Sequence, residues 1–87
     1  MEVLVDLHAL KHGLTEEEIL YAWKNYVRKQ HRRAPKEDRV VVVALGFCSD
    51  GRLVQMVGVD KWYGVLIYHA MTPPTASVLA EFGLTGR

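Results

Sequence analysis

The sequence predicts one α+β domain: N-terminal helices packed on an antiparallel sheet of three to four strands, with a short C-terminal helix. Three observations carry this expectation. An acidic capping signal at Thr15–Glu18 opens a stretch of apolar residues at helical spacing. Three long β-rich runs follow, separated by tight-turn residues. The chain has 87 residues, enough for a single domain over 1–87 and too few for a second core.

Each element has its own signal. Val3, Leu4 and Val5 form a short first strand. Asp6 reads as the N-cap of a short helix through His12, and Gly13 stops it. Thr15-Glu16-Glu17-Glu18 is a capping box: the Thr hydroxyl serves the third helical amide, and Glu18 reaches back to the cap. Ile19, Leu20, Trp23, Tyr26 and Val27 recur at three- and four-residue spacing and define the buried stripe of this helix. On that reading Arg28, Lys29, His31, Arg32 and Arg33 form its basic end, complementing the dipole, and Pro35 ends any continuation. Val40 to Phe47 is continuous and β-branched, as expected of a central strand. Ser49-Asp50-Gly51 is a hairpin turn, and Leu53–Val59 the strand after it. Asp60 and Lys61 make a second tight turn before a strand from Trp62 or Tyr63 to Met71. Pro73-Pro74 forbids its extension. Ala76–Phe82 is the closing helix, stopped by Gly83, and the helices share one face of the sheet.

Composition narrows the function classes. Hydrophobic residues make up 49% and charged residues 24%, a globular balance. Eleven Lys+Arg against ten Asp+Glu give a net charge of +1, which excludes a strongly basic nucleic-acid binder while leaving local patches open. The charge is segregated: residues 1–39 hold eight of the basic and seven of the acidic residues. The longest apolar run, Val40 to Cys48, is far short of a membrane span, and no secretion signal is read at the N-terminus. The single cysteine, Cys48, makes no internal disulfide and reads as structural. A cytoplasmic protein is therefore expected.

Several phrases resemble a known family. Lys11-His12-Gly13-Leu14-Thr15-Glu16-Glu17-Glu18 is similar to the opening signature of BrnT-type toxins of bacterial type II toxin–antitoxin pairs, which are related to the RelE/ParE toxins. Asp38-Arg39 before a hydrophobic strand resembles that family's Glu-Arg. Leu45-Gly46-Phe47-Cys48-Ser49-Asp50-Gly51-Arg52-Leu53-Val54 resembles its Gly-Arg-Leu hairpin. The likeness covers about residues 6–80. It implies a RelE-like fold, ribonuclease activity, a cognate antitoxin partner and an RNA target, free or ribosome-bound. One departure stands out. The family's last strand usually ends in Ser-Ala-Arg-Lys-Ala-Thr, whereas His69-Ala70-Met71-Thr72 stands here, and the closing helix carries no basic residue.

Cleavage of RNA by its own 2′-hydroxyl needs a base, a cation for the phosphorane, and an acid for the leaving 5′-oxygen. Histidine suits either proton task. The expected catalytic set is His8, His12, His69 and Arg52, His8 and His12 sharing a helical face. The expected RNA contacts are Lys11, Arg28, Arg32, Arg33, Arg39 and Tyr63. Each has a plainer reading: solvated or capping histidines, a turn-flanking Arg52, an Arg39 paired with Glu37. Tyr68 and His69 are adjacent in a strand, so they share a face only across a bulge. No metal and no cofactor are expected, because HxxxH alone makes a weak ligand set. A homo-oligomer stays open. The competing classes are a non-catalytic protein-interaction module on the same scaffold and a nucleic-acid-binding domain that does not cleave.

Overall fold

A computed structural model describes residues 1–34 and 36–84 of the chain, so the role expected of Pro35 lies outside the described residues. The order is β1 (Glu2–Val5), a 3-10 turn (Leu7–Leu10), α1 (Glu16–Lys24), β2 (Tyr26–Ala34), β3 (Arg39–Phe47), β4 (Leu53–Lys61), β5 (Gly64–Met71) and α2 (Ala76–Glu81). The strands form one five-stranded sheet in the order β1-β5-β4-β3-β2. The β2–β3, β3–β4 and β4–β5 pairs are antiparallel, and β1 runs parallel to β5. The α+β class holds, but the sheet is five-stranded and mixed rather than antiparallel with three to four strands.

The local signals at Asp6 and Thr15 form as the residue chemistry requires. The Asp6 carboxylate accepts from the His8 amide and caps a single 3-10 turn, shorter than the helix expected through His12. Both halves of the capping box are present: the Glu18 amide donates to Thr15 Oγ1 (3.1 Å), and the Thr15 amide donates to Glu18 Oε1 (2.9 Å).

The largest correction concerns residues 26–34. They are not the basic end of α1 but a nine-residue edge strand. Asn25 ends the helix, with its backbone and side-chain nitrogens both donating to Tyr21 O. Beyond it the basic residues alternate between faces. Lys29, His31 and Arg33 register with Ala44, Val42 and Val40, while Gln30 and Arg32 register with Val43 and Val41. Charged residues suit an edge strand, because they discourage pairing with another chain. Tyr26 and Val27, expected in the buried stripe, are exposed, whereas Ile19 and Trp23 are buried. The second tight turn also shifts: β4 runs through Lys61, and Trp62-Tyr63 makes the turn.

The helices lie on both faces of the sheet, not on one. Ile19, Ala22 and Trp23 of α1 pack with Ala44, Met56 and Ile67 on one side. Val78 of α2 packs with Val41, Val43 and Leu45 on the other. β3 is buried on both sides, which explains its unbroken β-branched run. α1 sits so close to β3 that a Cβ on Gly46 would lie 1.9 Å from the Ala22 carbonyl oxygen.

Gly46→Ala therefore cannot be absorbed by a side-chain adjustment. It is expected to destabilise by about 3 kcal/mol or more, the upper range of overpacking. Gly51→Ala meets open space at a backbone φ of +90° and should cost only about 1–2 kcal/mol of left-handed strain. Urea denaturation of the two variants checks the order, and a Gly46→Ala midpoint equal to that of Gly51→Ala would contradict the close approach.

Candidate functional site

The site begins with an irregularity in β5. Val57 pairs with His69, but the next residue, Gly58, pairs with Ile67. Tyr68 is thus an extra residue opposite β4, a β-bulge. The bulge keeps Ile67 and Ala70 in the core under α1 while Tyr68 and His69 both turn to the α2 face. Gly58 stands opposite, where a Cβ would come within 2.9 Å of Leu66 O.

Tyr68 and His69 line a cleft of about 330 Å³. Val41 and Val57 form its apolar floor, with Gln55 beside them. His8 enters from the 3-10 turn, Arg32 from β2, and Glu37 from the β2–β3 connection. Three distant segments thus bring two imidazoles and a guanidinium to one concavity, a common form of ligand site.

Electrostatics differ across the cleft. Burial, then the charges of His12, Lys11 and His8, push the His69 imidazole below its ordinary value. His12 stands edge-on to it, ring centroids 5.5 Å apart. On the far wall, Tyr68 Oη donates to Glu37 Oε1 at 3.0 Å and to Oε2 at 3.1 Å. Arg39 pairs with the same carboxylate at 2.7 Å and lies over the Tyr68 ring at 4.8 Å. The Arg39 and Tyr68 hydrogen bonds hold Glu37 below the usual carboxylate range. Burial, reinforced by the Glu37 hydrogen bond, raises the Tyr68 phenol. Arg32 Nε donates to Glu81 of α2 at 2.7 Å, leaving its two terminal nitrogens outside that contact.

The expected site residues divide accordingly. His8, His69 and Arg32 line the cleft, Arg39 braces its wall, and His12 and Lys11 act on His69 from beside it. Arg52 does not join them. It is held at the β3–β4 hairpin by Asp50 (2.7 Å) and by Glu18 of the capping box (2.6 Å). Arg33 pairs with Asp38, and the Arg28 guanidinium donates to Val27 O. Tyr63 packs edge-to-face on Trp62 at the opposite end of β5 from His69. As a continuous basic face the Arg28–Arg33 cluster does not exist, since strand alternation splits it.

Sequence reasoning missed Gln55, Tyr68 as a wall, and Glu37 as the centre of a network. The Tyr68-His69 doublet was the available signal, because two polar-tipped residues in succession within an apolar strand mark a place where alternation breaks. Cys48 is buried with Sγ 3.8 Å from Glu18 O, and burial pushes its thiol up, so it is a packed side chain rather than a nucleophile. Among the described residues no group of three His, Cys, Asp or Glu could hold a metal ion, and no helix is long and apolar enough to cross a membrane. Compared with protein-family models, curated proteins and solved structures, the chain has no significant match.

Proposed function

We propose that the chain is a small metal-independent endoribonuclease of the toxin type, held in check by a cytoplasmic antitoxin partner, and that the α2-face cleft is its active site. The observation that supports this most is the convergence of His8, Arg32 and His69 on one cleft from positions far apart in sequence. The resemblance of residues 6–80 to BrnT-type toxins points the same way. His69 is the general base: its lowered value favours the neutral imidazole that accepts the 2′-hydroxyl proton. Arg32 directs its terminal nitrogens to the phosphorane oxygens. His8, the more exposed imidazole, protonates the leaving 5′-oxygen. Arg39 and Glu37 are positioning residues that hold the Tyr68 wall.

One observation favours a second reading, the protein-interaction module. Trp62, in the turn before β5, is 96% exposed, a large aromatic of the kind that anchors a partner surface. On that reading the protein binds a partner tightly and leaves RNA intact.

Incubation of the purified protein with a single-stranded RNA is expected to give fragments ending in 2′,3′-cyclic phosphate. His69→Ala and His8→Ala should each lower the rate by about 10²–10⁴-fold, and Arg32→Ala by about 10²-fold. Arg52→Ala, which removes only exposed ion pairs, should leave it within about a factor of three. Intact RNA with the wild-type chain, or an Arg52→Ala loss as deep as that of His69→Ala, would count against the site.

The pH profile gives an independent check. A base must be unprotonated, and the His69 value is depressed from its ordinary 6.5. Activity is therefore present above the depressed value and lost as pH falls through it, so the acid limb of kcat/KM lies below pH 6.5. His12→Ala removes one of the repelling charges and should move that limb upward. A limb above 6.5 in the wild type, or one that moves down in the variant, removes His69 from the base role.

A further inference from the structure

Gln55 is the buried polar side chain whose chemistry the cleavage reading leaves unused. It is the third residue of β4, is 6% exposed, and lines the cleft beside Val57. Its Oε1 accepts from the Thr75 backbone N–H at 2.9 Å and from Thr75 Oγ1 at 3.2 Å. A backbone N–H can only donate, so these contacts fix which end of the amide is oxygen. Thr75 is in turn fixed as the N-cap of α2, accepting from the Val78 amide. The amide plane is therefore locked from behind. Among the described residues its Nε2 donates to no protein group, yet no buried side-chain nitrogen or oxygen there is left sealed without a partner. The Nε2 is thus open to solvent on a side chain that lines the cleft, a two-proton donor whose partner oxygen is already engaged.

Resting on the reading of the cleft as an RNA site, we propose that Gln55 is its base-reading residue and that the cleft prefers a keto base, guanine or uracil, to an amino base, adenine or cytosine. The floor of Val41 and Val57 offers an apolar face on which a planar base can lie, while Arg32, His8 and His69 surround its phosphate. Guanine O6 and uracil O4 accept a hydrogen bond at the position where adenine N6 and cytosine N4 carry donors. The Gln55 Nε2 satisfies the first pair and meets the second donor to donor. Its oxygen cannot swing round to compensate, because the Thr75 N–H would lose its acceptor. An ordinary surface glutamine reads either kind of base by flipping; this one does not.

The test uses the four nucleoside 3′-monophosphates, which carry base and phosphate without a bond to cleave. Each is titrated into isotope-labelled wild-type protein, followed by NMR. The 3′-guanosine and 3′-uridine compounds should bind about tenfold more tightly than the 3′-adenosine and 3′-cytidine ones, with shifts at Gln55, His8 and His69. Gln55→Glu keeps an oxygen for Thr75 and puts an acceptor where the donor stood, so the order should invert even as overall affinity for the anions falls. Wild-type binding of all four with equal affinity at His8 and His69 overturns the base-reading role while supporting the phosphate site. Failure of all four to bind overturns both. The wild-type comparison decides these outcomes even if the Gln55→Glu chain does not fold, and a folded variant that keeps the keto preference also rejects the role.

Discussion

The extra residue in β5 is the constraint on which the cleft depends. A strand alternates its side chains, so an unbroken β5 would send either Tyr68 or His69 into the α1 core. Each alternative is costly. An imidazole or phenol among Ile19, Met56 and Ile67 would need a hydrogen-bond partner that this apolar layer does not supply. The bulge resolves this by spending one residue out of register. Core alternation resumes at Ala70, and both polar side chains reach the α2 face. Glycine at position 58 is what allows β4 to lie against that irregular stretch, since a side chain there would meet the Leu66 carbonyl.

The rest of the cleft follows from where the chain enters and leaves this bulge. β1 lies parallel to β5, and the Asp6 amide donates to Ile67 O at 2.8 Å, so the 3-10 turn emerges next to Tyr68 and His69. His8 therefore arrives through backbone geometry, as does His12 against the His69 ring. From the other side, Glu81 of α2 draws in Gln30 and Arg32, tying β2 to the helix that borders the cleft. α2 has only six residues and one buried side chain, Val78. Polar contacts, Thr75 on Gln55 and Glu81 on Arg32, add to the packing of Val78, Leu79 and Phe82 on the sheet.

How much of this the sequence disclosed divides along a physical line. Signals confined to a few neighbouring residues are legible: the capping box at Thr15, the Asp6 cap, the hairpin turn at Asp50-Gly51, the stop at Gly83. They depend on hydrogen bonds and backbone angles that those residues settle among themselves. Residues 26–34 are different. Tyr26 and Val27 continue the helical spacing, and arginine and lysine favour helix as well as strand, so local propensity decides nothing there. Pairing with β3 decides it, and that partner lies beyond a turn. Once the segment is a strand, five basic or titratable residues that would crowd one helix end separate onto two faces. Only Arg32 of them reaches the cleft, and no composition count could select it. The bulge, by contrast, was conditionally legible: a shared face for Tyr68 and His69 required one, though nothing in sequence required the shared face.

The near-neutral charge takes on a different meaning in three dimensions. Most of the arginines expected to meet phosphate are already engaged by carboxylates: Arg52 by Asp50 and Glu18, Arg33 by Asp38, Arg39 by Glu37. Exposed pairs of this kind contribute little stability, but they set which cations face outward. Arg32 differs because its carboxylate belongs to α2 and takes only Nε, so the guanidinium is oriented without being enclosed. Among the described residues Glu37 is the one carboxylate that lines the cleft itself, and it is bound by Arg39 and Tyr68 rather than left to repel an incoming phosphate. A chain of net charge +1 can thus still bring one guanidinium and two imidazoles into the same concavity. On the proposed reading, the arginine and lysine missing at Met71 and Thr72 are offset by Arg32, which reaches the cleft from a strand on the far side of the sheet.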